Sequence, residues 1–232
     1  MDLGLYLDLN LDHNLHMILA INTAQRSHEL ALIEGDELLA EEIWTGSRDD
    51  IERLVPTLEN MLEDLGLERQ DITDIVVVNG PGPYTAVRMG VSFANALAEG
   101  LKAQLHSMST FDCMIRKAAT TDKVLALLFA GGMHAALHVE GETKIDSLSS
   151  LLAPHSHGNT KVVAELNETQ TKELKSICLE KEWELVVGHE LQSLGEMILT
   201  DGLSLATPVD LVKDSYLRAP NITASSNPWK KS

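Results

Sequence analysis

The chain has 232 residues, 44% of them hydrophobic, with a formal net charge of -17 at pH 7 and two cysteines, Cys113 and Cys178. That length and apolar content suit one large domain or two lobes without covalent staples, and the two cysteines have neither CxxC nor metal-type spacing, so no disulfide framework is implied. The acid excess repels phosphate backbones and disfavours direct nucleic-acid binding, while the lack of a membrane-length apolar run or a basic leader gives the expectation of a cytoplasmic protein with no membrane contact.

Residues 1–16 alternate Leu with polar residues and carry no Lys or Arg. They read as an N-terminal extension, either an extra acidic strand or a misassigned, disordered start. MILAINTA from Met17 to Ala24 reads as a buried strand, and HELALIEGDELLAEEIW as a hairpin around Glu34-Gly35-Asp36. Ser47 to Asp50 supply helix-start residues before Ile51, Leu54, Val55, Leu58, Leu62 and Leu65, whose spacing predicts a helix ending at Gly66, with Pro56 early enough to bend but not break it. A strand at 75–78 runs through Asn79-Gly80-Pro81-Gly82-Pro83 into a helix over 84–101. The second half predicts strands at 124–129, 135–139, 161–166 and 184–187 and helices at 168–182 and about 191–200, with 141–160 as a Ser/His/Gly/Pro-rich connecting loop. The two halves read alike, which suggests an internal duplication.

Ala86, Gly90, Ala94 and Ala98 recur every fourth residue and form a small-residue face on which another backbone can come close. The spacing leaves open whether this face meets the chain's own core or another protein. The Gly/Pro turn before it has the setting of an anion site at a helix N-terminus, yet it lacks GK[ST], and its prolines remove amides that a phosphate cradle needs; a structural turn is the better reading. His134 and His138 lie four residues apart on a strand, about 13 Å, too far to share a metal ion. His155 and His157 lack partners, so no metal site is expected. Asn22-Thr23-Ala24 ends the first strand where actin-like and sugar-kinase-like phosphotransfer enzymes carry an Asp; a neutral amide can neither charge-match Mg²⁺ nor act as base. No GxSxG nucleophile motif is present. KDSYLRAP at 213–220 is either an anchoring tail or a binding string.

Met17 to Ala24, IERLVP at the start of the first helix, NGPGPYTAVRMG at 79–90 and SYLRAP at 215–220 together resemble the TsaB (YeaZ-like) family, within the TsaD/glycoprotease-like group, over about residues 17–220. The resemblance implies an α/β, actin-like (ASKHA, ribonuclease H-like) duplicated fold. It divides the chain into a lobe over 17–118, a smaller lobe over 119–206 and a segment over 207–232 packing back on the first. It implies a non-catalytic dimerisation subunit without cofactor, which pairs with a TsaD-type catalytic subunit and a TsaE-type ATPase to form N6-threonylcarbamoyladenosine at position 37 of tRNAs reading ANN codons. Alone, such a chain is a candidate homodimer. Its first two helices would form the interface, here Ile51, Leu54, Val55, Leu58, Leu62, Ala86, Val87, Gly90, Val91, Ala94, Leu97 and Ala98, and Asn22, Thr23, Gly80, Gly82 and Thr85 mark a candidate residual nucleotide or anion site. This sequence departs from the family pattern at Asn22-Thr23-Ala24, at Pro83-Tyr84-Thr85-Ala86, at Asp50 and at Phe129-Ala130-Gly131-Gly132. The alternatives are an actin-like kinase or ATPase with its own nucleotide site, and a metalloprotease-type hydrolase.

Overall fold

The computed structural model describes residues 16–46, 50–156, 158–186 and 190–217. All but the last residue of the expected N-terminal extension lies outside this range. The first half folds as β1 (Met17–Asn22), β2 (Ser27–Glu34), β3 (Glu37–Thr45), α1 (Asp50–Leu65), β4 (Ile72–Val78), α2 (Tyr84–Leu101), β5 (Gln104–Met108) and α3 (Thr110–Lys117). The second half follows as β6 (Lys123–Phe129), β7 (Ala135–Val139), β8 (Glu142–Asp146), α4 (Leu148–Leu152), β9 (Thr160–Glu165), α5 (Glu168–Lys181) and β10 (Glu184–Val186). The chain then adds α6 (Leu194–Asp201) and β11 (Thr207–Val209).

One sheet runs β3-β2-β1-β4-β5-β11 and the other β8-β7-β6-β9-β10. In each, the first three strands are antiparallel neighbours and the fourth and fifth pair parallel on the far side of the first. The same third-second-first-fourth-fifth order occurs twice, and this is the duplicated, two-sheet α/β arrangement that the resemblance implied. The central strand β1 is buried along its whole length because both faces of its sheet are covered. The β3–α1–β4 and β4–α2–β5 crossovers step across the sheet in the same direction, so the right-handed rule puts α1 and α2 on one face. Helix α6 packs on β1, β2 and β3, where a Cβ at Gly195 would lie 2.6 Å from Leu38 Cδ1.

Three expectations need correction. Residues 141–160 are not a plain loop but hold β8 and α4. Strand β5 and helix α3, which the sequence pattern missed, complete the first half. Residues 194–206, assigned to a second lobe over 119–206, sit with the first: Leu194, Met197, Ile198 and Ala206 share one hydrophobic cluster with β1, β2 and β4. Among the described residues no helix is long and apolar enough to cross a membrane.

Candidate functional site

The end of β1 is a buried polar junction. Asn22 is fully buried and its amide donates to Glu29 Oε2 at 2.8 Å and Gln25 Oε1 at 3.0 Å, while its own oxygen accepts from the Ala24 N–H. Glu29, on β2, is matched by Lys117 from α3, whose Nζ lies 2.6 Å from both carboxylate oxygens, and Glu29 Oε1 also accepts from the Leu194 N–H at 3.2 Å. The carboxylate beside Asn22 is therefore already neutralised by an ammonium held inside the protein. A divalent cation would have to displace Lys117 from a site closed to water. Among the described residues no group of three His, Cys, Asp or Glu could hold a metal ion. His138 instead stacks on Phe111 with ring centroids 5.0 Å apart, and its Nδ1 bonds Thr143 Oγ1.

The expected anion site is not assembled. Thr23 is buried and its hydroxyl donates to the Ala86 carbonyl at 2.7 Å, and Thr85 is exposed. Gly80 and Gly82 lie against backbone oxygens: a Cβ at Gly80 would collide with the Ser215 carbonyl oxygen, and one at Gly82 with that of Ala24. Carbonyl oxygens at these glycines repel an anion rather than bind it. The turn needs glycine because chain passes over it, and at Gly80 also because φ is +103°.

That passing chain is a strap over 209–217. Its Val212 N–H and carbonyl oxygen bond the Asn95 side chain at 2.9 and 3.0 Å. The Lys213 carbonyl accepts from Asn79 Nδ2, and the Ser215 N–H donates to the Asn79 backbone carbonyl at 2.8 Å. Tyr216 packs on Tyr84 with centroids 4.8 Å apart, and Arg88 lies over the Tyr84 ring and 3.8 Å from Asp214. The Tyr216 hydroxyl is pushed up to about 12 by burial and by donating to Asp214. One flank of α2 is thus covered by the chain's own tail through Val212, Asp214 and Tyr216, while Leu217 packs with α3 and the second sheet; Arg218 to Pro220 of the SYLRAP string lie outside the described residues.

The small-residue face points inward. Val87, Gly90, Val91, Ala94 and Ala98 are buried, as are Leu54, Leu58 and Leu62 of α1, and all but Gly90 belong to the hydrophobic cluster beneath the first sheet's helices. Gly90 meets Thr23 so closely that an added Cβ would strike its hydroxyl. Eight of the twelve expected interface residues therefore pack against this chain itself. Ala86 and Leu97 are half-buried and Val55 is 44% exposed, while the Ile51 side chain lies outside the described residues. The expected interface left out Met89 and Phe93, which lie half-buried beside Ala86 and Leu97 on the flank of α2 away from the strap. Their spacing at 86, 89, 93 and 97 is an i, i+3/i+4 row, which was visible in the sequence but outweighed there by the small residues.

Between the two sheets lies a cleft of about 700 Å³, lined by Ala24, Gly82, Pro83, Tyr84, Leu128, Phe129, Ala130, Gly131, Gly132, Glu165, Leu166, Asn167, Tyr216 and Leu217. Only Gly82 of the expected anion residues reaches it. Glu165, at the end of β9, crosses to the first lobe, where it accepts the Arg26 N–H and bonds the Gln25 side chain. Burial pushes its carboxyl above the usual range against these hydrogen bonds.

Residues 38–194 match the protein family described as "TsaD: tRNA N6-adenosine threonylcarbamoyltransferase". The chain is 32% identical over 112 residues to the tRNA threonylcarbamoyladenosine biosynthesis protein TsaB of Bacillus subtilis (strain 168), covering 48% of this chain and 49% of that protein. It is 31% identical over 101 residues to the protein of the same name from Escherichia coli (strain K12), covering 44% and 43%. The chain thus spans about half the length of the curated relatives it matches. A solved Pseudomonas aeruginosa structure described as similar to the peptidase YEAZ superimposes with a TM-score of 0.68 at 16% identity, over 88% of this chain and all of that one, a likeness of fold.

Proposed function

Because the chain belongs to the TsaD family and is TsaB/YeaZ-like within it, we propose that it is an accessory, non-catalytic subunit in forming N6-threonylcarbamoyladenosine in tRNA, pairing with a TsaD-type catalytic subunit alongside a TsaE-type ATPase. The observation that carries this reading is the junction at the end of β1. Where phosphotransfer needs an ionised acid facing a metal, this chain has the Asn22 amide and a Glu29 carboxylate consumed by Lys117. Such a site offers neither a base nor a metal ligand, which leaves pairing as the role of the surface. The face proposed for it is the exposed side of α1 and α2: Val55, Ala86, Met89, Phe93 and Leu97. Desolvating this row drives docking, and the charge of -17 steers a basic partner toward it.

Co-expression with the TsaD-type subunit of the same organism tests the reading. Met89→Glu together with Phe93→Glu should abolish co-elution while circular dichroism and the unfolding midpoint stay near wild type, since both side chains are already partly exposed. A folded double variant that still co-elutes removes the proposed face. Turnover of Mg-ATP by the isolated chain overturns the non-catalytic role.

A further inference from the structure

The geometry points to the interlobe cleft as a binding site for a small organic cation with a flat apolar body, with Glu165 as its counter-charge and Phe129, Tyr84 and Tyr216 as its walls. The inference goes beyond subunit pairing and does not depend on it. Its basis is the chemistry of the lining. None of the described residues lining this 700 Å³ space is basic, and Glu165 is the one charged residue among them. A phosphate or carboxylate ligand would enter facing a carboxylate and find no cation among these lining residues. Phe129 is 45% exposed, an unusual position for a phenyl ring at the end of a sheet's central strand, and the Tyr84–Tyr216 pair stands on the other lobe. Aromatic faces and a carboxylate form the standard surroundings of an ammonium or amidinium on an aromatic frame. Of the nearby basic groups, Lys117 is paired with Glu29, Arg88 lies over the Tyr84 ring 3.8 Å from Asp214, and Arg26, itself exposed, attracts Glu165 through space without an ion pair to it.

The Glu165 carboxylate is hydrogen-bonded by the Arg26 N–H and the Gln25 side chain, and it feels the Arg26 and Lys117 charges through space without a close ion pair to either. An incoming cation supplies that pair. Because Glu165 also ties β9 to the β1–β2 turn, ligand binding at this carboxylate is felt by both lobes.

Calorimetric titration of the isolated full-length chain tests this, with tryptamine as probe and indole-3-propionate as the same ring bearing the opposite charge. Saturable binding of tryptamine at one site is expected, with indole-3-propionate at least tenfold weaker. Glu165→Gln should weaken tryptamine about tenfold. Phe129→Ala, which leaves the bond between the lobes intact, should weaken both ring compounds. No saturable tryptamine binding, equal binding of the two probes, or an unchanged affinity in a folded Glu165→Gln variant each overturns the proposal. The titration needs no partner, so its failure leaves the pairing proposal standing, and loss of co-elution in the pairing experiment leaves this one untouched.

Discussion

Lys117 shows how far one side chain can decide what a site does. Its Nζ is buried with Glu29, and the two residues lie 88 apart in sequence. Removing one partner of such a pair strands a desolvated charge, so Lys117→Met should lower stability by about 3–5 kcal/mol, read from urea unfolding. Replacing both, as Lys117→Met with Glu29→Gln, removes the stranded charge and should recover much of that loss. A single variant as stable as wild type would mean that Glu29 is not closed off from water. The sequence reading found the neutral Asn22 because it ends a recognisable apolar strand. It could not find Lys117 or Glu29, because nothing local in either segment marks two residues, 88 apart in sequence, that only the tertiary fold brings together.

At the scale of elements, α2 is the instructive case. Its bounds, Tyr84 to Leu101, and its small-residue face were legible from period and turn chemistry. The direction of that face was not. A 3.6-residue period says that one side of a helix is covered and is silent on what covers it. The structure gives Thr23 and the first sheet as the cover, so Gly90→Leu acts on the fold: with the Thr23–Ala86 bond broken and the helix pushed off β1, a loss of about 2 kcal/mol or more is expected in urea unfolding. A variant with a wild-type midpoint that still fails to bind a partner would restore the outward reading. Strand β8 was illegible for the opposite reason. Glu142 to Asp146 form an exposed edge with every residue solvent-facing, so no apolar alternation announces it, and only its pairing with β7 makes it a strand.

Across the whole molecule, ionisable groups in different places pull stability in opposite directions with pH. Glu165, between the lobes, and Glu41, beside α6, are both raised above 4.5, chiefly by burial, so each costs stability when ionised. That cost is relieved as pH falls from neutral through their raised values. Asp74 runs the other way. Burial would raise it, but hydrogen bonds with His106, Thr73 and His16 prevail and hold it below 3.8. Its contribution is intact above the unfolded value, about 3.9, and is lost as pH falls through its lower folded value. Stability should therefore rise on acidification from pH 7 toward about 5 and fall below about 4. Glu165→Gln should flatten the first limb and leave the second, in unfolding measured across that range; a first limb unchanged in the variant would remove Glu165 as its source. The duplication was legible as two similar runs of elements, though the order of strands in each sheet was not. Nor was the placement of α6 with the first sheet, because it reads locally like any amphipathic helix.

The return of the chain to the first sheet has a consequence for synthesis. The first sheet is finished only when β11 pairs with β5 and α6 covers β1 to β3, and these pieces lie on the far side of the whole second sheet. About 100 residues separate β5 from β11, which at ribosomal speed is roughly 5–20 s of elongation. Throughout that interval the nascent first lobe presents an open strand edge and a bare apolar sheet face, the kind of surface that aggregates or recruits chaperones, until α6 and β11 have left the ribosome.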